Sequence, residues 1–198
     1  MRKIFLSSLL LVTLFISGCS WGNGNTPPLK IDASGNRPPA METLQTLKEN
    51  NFVQLATIVN SEKGLRLSPY TFVNAESDMV LKPADIEKLG IDTEEKLWGN
   101  YDGSGEEIRL TGKDYFAKFV YDQDFVSAPQ VSVNERVGSG NSIDNSKEIY
   151  PDAQIWEYHF SGFDKQYEGL DWESLRLVFQ KIENRWWLLG IIHDAWTI

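Results

Sequence analysis

The chain has one cysteine, Cys19, and two histidines, His159 and His193, among 198 residues. A single cysteine excludes a disulfide within the chain, so a folded domain here must be held by its core alone. It also excludes a cysteine zinc site, and two histidines exclude a histidine-rich one. Positive charge is scarce: 19 Lys and Arg stand against 28 Asp and Glu, for a net charge of −9. Nucleic-acid binding rests on Lys and Arg neutralising phosphates, so that class is excluded. Broad adsorption to anionic lipid or wall polymer is excluded on the same ground. Several motifs are missing as well. No G-x-S-x-G elbow occurs. GSGN (138–141) is followed by no Lys-Ser/Thr, so it is a loop and not a phosphate cradle. Asp102 to Glu107, DGSGEE, lacks the alternating ligands of an EF-hand and reads as a Gly-containing hairpin turn. Asp122-Gln123-Asp124 reads as a charged turn after a helix. No cofactor and no metal are expected.

What is present at the N-terminus sets the expected compartment. Arg2 and Lys3 precede an apolar run of thirteen residues, Ile4 to Ile16. A membrane-crossing helix needs about 20 residues, so the run fits the core of a secretory signal instead. It ends in Ile16-Ser17-Gly18-Cys19. That tetrad resembles the lipobox of bacterial lipoproteins, which implies cleavage before Cys19 and a lipid on its thiol. Each buried methylene contributes about 0.8 kcal/mol, so two acyl chains make a stable anchor. The expected layout is a signal peptide over 1–18, a lipidated Cys19 and flexible tether over 19–39, and one domain over 40–198. Losing Arg2 and Lys3 would leave 17 basic against 28 acidic residues, a net of −11. The expected location is the cell membrane, lipid-anchored and facing outside the cytoplasm.

The domain opens on helical spacing. Met41, Leu44 and Leu47 share a face, and Phe52, Leu55, Ala56 and Val59 repeat at i, i+3, i+4, i+7. Pro83 to Leu89 is a short helix with Pro first and Gly90 past its end. Leu97 to Tyr101 and Ile108 to Thr111 flank the DGSGEE turn as a hairpin. Thr111 with Asp114 resembles a capping box that opens a helix over Lys113 to Val120. Strand patterns follow over Gln130–Val137, Gln154–Phe160, Leu175–Ile182 and Trp186–Ile198, with a tight turn at Glu183-Asn184. This order predicts an α+β fold, N-terminal helices packed on a curved antiparallel sheet.

The layout resembles the cone-shaped nuclear-transport-factor-2-like superfamily, which implies helices closing over a bent sheet around a pocket. The stretches GLRLSPY (64–70), WGNYDGSGEEIRLT (98–111), KFVYDQDF (118–125), EYHFSGF (157–163), DWESLRLVFQK (171–181) and GIIHDAWTI (190–198) are similar to a group of uncharacterised bacterial lipoproteins. That resemblance implies a compartment and no chemistry.

The closing WWLLGIIHDAWTI carries a His-Asp pair. On a strand, neighbours point to opposite faces, so His193 and Asp194 cannot bond each other. A regular hairpin at Glu183-Asn184 puts Asp194 with Leu188, Ile192, Trp196, Leu175, Leu177 and Phe179, on the more apolar face. Burial there would make Asp194 an acid or base, the best catalytic candidate. His159 lies opposite Trp156, Tyr158 and Phe160 and is expected to face away from a pocket. Both faces of the last hairpin are apolar, which predicts a covered second face and a homodimer contact through it. The aromatic residues Tyr70, Trp98, Trp156, Tyr158 and Trp196 are the candidate ligand-binding set. The leading expectation is a membrane-tethered binding domain for a small apolar ligand or an envelope protein. The alternatives are an isomerase- or dehydratase-type enzyme with Asp194 as general base, and a structural envelope lipoprotein.

Overall fold

The computed structural model describes residues 36–197. The signal segment, Cys19 and most of the tether lie outside the described residues. The first helix, α1 (Ala40–Lys48), turns Leu44 and Leu47 into the core, and Thr43 Oγ1 donates back to Pro39 O at 2.8 Å to hold its first turn. Asn51 then caps α2 (Phe52–Ala56) by accepting from Gln54 N. Short elements follow: β1 (Leu65–Ser68), β2 (Met79–Leu81), α3 (Pro83–Ile86) and the hairpin β3 (Lys96–Asn100) with β4 (Glu107–Leu110). Thr111 accepts from Asp114 N and opens α4 (Gly112–Phe119), whose Tyr115, Phe116 and Phe119 are buried. Such a cap is worth about 0.5–2 kcal/mol. The remainder is β5 (Gln130–Val133), α5 (Ser146–Ile149), β6 (Ala153–Phe160), β7 (Glu173–Ile182) and β8 (Arg185–Ala195).

These elements make an α+β fold. One six-stranded sheet runs in the order β2-β1-β8-β7-β6-β5, and β3 and β4 pair separately. The sheet departs from the expected all-antiparallel pattern at one place. β1 lies parallel to β8, with Leu67 opposite Ile191. The crossover that parallel neighbours require is supplied by everything between them in the chain.

The sheet has two buried faces. One packs on α1, α2 and α4 and carries Tyr158, Leu175, Leu177, Phe179, Leu188 and Ile191. The other carries Ile155, Val178 and Ile192 and is covered by Val73 and by the chain around Ile149 and Tyr150. Asn145 fastens that cover: its Nδ2 donates to Val73 O at 2.9 Å and its Oδ1 accepts from Val73 N at 2.8 Å. Over β6 to β8 the second face is therefore covered by the chain itself.

The expected register holds only to Leu188. Lys181 pairs with Trp186 and Phe179 with Leu188, but Val178 pairs with Gly190, leaving Leu189 as a bulge. One extra residue moves every later side chain to the other face. His193 thus joins Leu175 and Leu177 on the helix side, and Asp194 joins Arg176 and Val178 on the other. The placement of Asp194 with Leu175, Leu177 and Phe179 is overturned for this reason. The two residues still point apart.

Candidate functional site

Three polar assemblies stand on this scaffold. The first is an open groove of about 520 Å3 between the 69–78 loop, the Gly99–Asp102 turn and residues 141–143. Pro69 ends β1 and the chain bends back on itself. Asp78 locks the bend: it accepts from Ser68 Oγ at 2.5 Å and from Asn74 N at 2.9 Å. Burial outweighs these bonds and raises the Asp78 carboxyl above its ordinary range. Lys118, outside the lining, places Nζ 4.5 Å over the Tyr101 ring and donates to its hydroxyl at 3.0 Å. Phe72 and Ile143 on the rim are 50% and 73% exposed. Asn74, Asn100, Asn141, Ser77 and Ser142 add hydrogen-bonding groups, and Asp78 and Asp102 give the lining its only charges.

The five aromatic residues singled out in the sequence do not line one cavity. Tyr70 lines the groove. Trp98 is fully buried behind it, stacked on Tyr115 at 4.1 Å, with Nε1 donating to Leu110 O at 2.8 Å. Tyr158 is buried and Trp156 half-buried on the helix-facing side of β6. Trp196 lies exposed beyond the end of β8. Phe72, Tyr101 and Ile143 come to the groove from three separated segments, and no local spacing marks them as neighbours.

The second assembly lies at the C-terminal end of α4. His193 Nε2 donates to Asp122 Oδ2 at 3.0 Å, and a Glu173 oxygen lies within 4.8 Å of ligand atoms of both. Asp122 follows α4, Glu173 opens β7 and His193 lies near the end of β8, so three elements meet here. Burial is the largest influence on His193 and opposes a charge, but the bond to Asp122 and the charges of Asp122, Glu173 and Asp194 together outweigh it and raise the imidazole above its ordinary value. Burial and the nearby Asp122 charge push Glu173 up to about 7. Asp122 Oδ1, Glu173 Oε2 and His193 Nδ1 are buried and find no hydrogen-bond partner. The sequence shows Asp122 only as part of a charged turn.

The third assembly fills the second face of the sheet. Asp194, 1% exposed, accepts from Arg136 Nε at 3.0 Å and Nη2 at 3.2 Å, and from Thr71 Oγ1. Arg176 Nη2 stands 3.4 Å from Asp194 and Arg176 Nη1 stands 2.9 Å from Asp144. Beside them, Glu157 accepts from Val137 N, Gly138 N and Ser174 Oγ at 2.9, 2.8 and 2.7 Å. Since Ser174 donates its proton to Glu157, it accepts from His159 Nδ1 at 2.8 Å. Burial lowers His159 below its ordinary value. The surroundings of Asp194 are thus charged and hydroxylic, not apolar. They hold it as the anchor of two arginines.

An α+β domain with one mixed sheet, an open groove and two buried polar clusters is the class these features define. No family model matches the chain, and no curated protein matches it. The chain is similar to a solved protein of Xanthomonas campestris assigned as a calcium/calmodulin dependent protein kinase II association domain. The two share 15% identity over 79% of this chain and 82% of that chain, with a TM-score of 0.32.

Proposed function

We propose that the protein is a lipid-anchored, extracytoplasmic binding domain whose ligand site is the groove between the 69–78 loop, the Gly99–Asp102 turn and residues 141–143. The observation that carries this reading is the rim itself. Phe72 and Ile143 hold apolar surface in solvent beside Tyr70 and Tyr101, with amide and hydroxyl groups interleaved. Sites for small molecules combine an apolar lining with a few placed polar groups. The charges in the lining, Asp78 and Asp102, are both acidic, so the groove takes neutral or cationic ligands and repels anions. The lipobox-like tetrad ending in Cys19 supports the anchoring. Among the described residues no helix is long and apolar enough to cross a membrane.

Two measurements test it. Cys19→Ser should move the protein from the membrane to the aqueous fraction; retention on membranes removes the anchor. Calorimetry of the detergent-solubilised full chain with tryptamine and with indole-3-acetate compares one ring with opposite charges. Tryptamine should bind at least tenfold more tightly, and Phe72→Ala should weaken it. Equal affinities, or binding untouched by Phe72→Ala, overturns the groove assignment.

A further inference from the structure

The cluster at the end of α4 is left out of the groove and out of the ion-pair network beneath segment 134–150. We propose that Asp122, Glu173 and His193 form a binding site for one borderline divalent transition metal ion of the zinc or manganese type. The argument begins with geometry. An ion holds nitrogen and carboxylate oxygen at about 2.0–2.2 Å, so two ligands of the same ion stand roughly 3.0–3.5 Å apart. His193 Nε2 and Asp122 Oδ2 already stand 3.0 Å apart. All three ligand atoms lie within 4.8 Å of one another. Closing the set from separations of up to 4.8 Å asks for no more than about 2 Å of movement, and Glu173, which is partly exposed, can supply it.

The second observation is a deficit of partners. The His193 side chain is only 8% exposed, and its one polar contact across the cluster is Asp122. Asp122 Oδ1 and Glu173 Oε2 are buried acceptors with no donor. Leaving such groups unmatched costs roughly 1–3 kcal/mol each. A cation takes the place of the proton shared by Nε2 and Asp122 Oδ2 and brings the carboxylates around a positive centre. Two carboxylates and a neutral imidazole balance a divalent ion in charge.

Ligand type narrows the ion. Carboxylates alone would suit calcium or magnesium, which take oxygen ligands and in greater number. An imidazole among three protein ligands turns the preference to zinc or manganese and leaves positions for water. Ligating histidines usually anchor the other ring nitrogen on a carbonyl or carboxylate. His193 Nδ1 has no such partner, so the site should bind its ion more weakly than a fully supported one and exchange it readily. The three residues lie far apart in sequence, so neither the histidine count nor any motif spacing reveals the set.

The test is titration of the metal-stripped full chain with Zn2+ and with Co2+. The expected result is one equivalent bound, a Co2+ visible spectrum of a mixed nitrogen-oxygen site, and release of protons on binding. Glu173→Gln keeps size and removes one ligand charge on a partly exposed residue, so it should fold as wild type and lose at least tenfold in affinity. A shift of the His193 ring nitrogens on Zn2+ addition, read by NMR, identifies the imidazole without any variant. Zn2+ binding unchanged in Glu173→Gln, an unmoved His193 ring, or equal affinity for Mg2+ overturns the proposal. None of these outcomes bears on the groove, whose lining shares no residue with this cluster.

Discussion

His193 and Asp194 are chain neighbours that serve opposite faces of one sheet. His193 Nε2 meets Asp122 at 3.0 Å on the helix side, and Asp194 Oδ2 meets Arg136 Nε at 3.0 Å on the other. The adjacent pair suggests a reactive dyad, and the pleat divides it between two clusters.

Asp194→Asn should be strongly destabilising. The substitution keeps the shape and removes the anion that Arg136 and Arg176 share. Arg176 retains Asp144 at 2.9 Å, but Arg136 has no other carboxylate among its described contacts. Breaking a buried pair from one side costs about 3–5 kcal/mol. Urea unfolding should show that loss in the midpoint with an unchanged slope. A change under 1 kcal/mol would mean that the arginines find water as easily as they find Asp194.

Much of the fold is legible in the sequence because its signals are local. The α4 cap at Thr111, the α1 stripe of Leu44 and Leu47, and the reversal at Glu183-Asn184 each depend on residues within a few positions. The bulge at Leu189 is not legible. WWLLGIIHD is apolar on both faces, so the pattern fits either register and nothing local fixes where the extra residue falls. The parallel pairing of β1 with β8 joins segments over 120 residues apart and leaves no periodic trace. The sites suffer most. Asp122 meets His193 across 71 positions, and the groove gathers its rim from three loops. The sequence shows residue types there and no distances.

His159 should make the protein lose stability in mild acid. Burial lowers its folded-state value below the unfolded value of 6.5. Below that unfolded value the unfolded chain binds a proton that the folded chain refuses, so stability falls as pH drops from about 6.5 toward the folded value. Above 6.5 the contribution is complete and flat. His159→Gln keeps a donor for Ser174 and cannot titrate, so its stability should vary less steeply than wild type between pH 5 and 6.5. Identical slopes in the two proteins would show that His159 binds its proton equally well in the folded and unfolded chains.

Gly138 is required by contact. A Cβ there would stand 2.4 Å from Trp172 Cζ3 and 2.8 Å from Cη2, both on a buried indole. Its N–H also donates to Glu157 Oε1 at 2.8 Å, so the backbone cannot move off without leaving a carboxylate short of a donor. Gly138→Ala should cost about 1–3 kcal/mol by overpacking. Trp172→Leu in the same chain should shrink that increment, because the two substitutions share one space. Full additivity in thermal unfolding would show that the indole is not what Gly138 meets.

The reversal between β7 and β8 offers a change in the opposite direction. Glu183 and Asn184 sit at φ 49° and 64°, both in the left-handed region. A two-residue hairpin of this kind matches the twist of its strands but asks for positive φ at both positions. Asn tolerates it and Gly adopts it freely, while Glu183 bears a steric cost there. Glu183→Asn with Asn184→Gly should therefore raise stability by about 0.5–1 kcal/mol, without touching either buried cluster. The hairpin is the longest pairing in the sheet, with ten and eleven residues in its strands. A turn that forms early should bring Leu188 opposite Phe179 before the bulge has to be accommodated. Refolding should then quicken while unfolding stays nearly unchanged. A gain that appears only in the unfolding rate would place turn formation after the rate-limiting step.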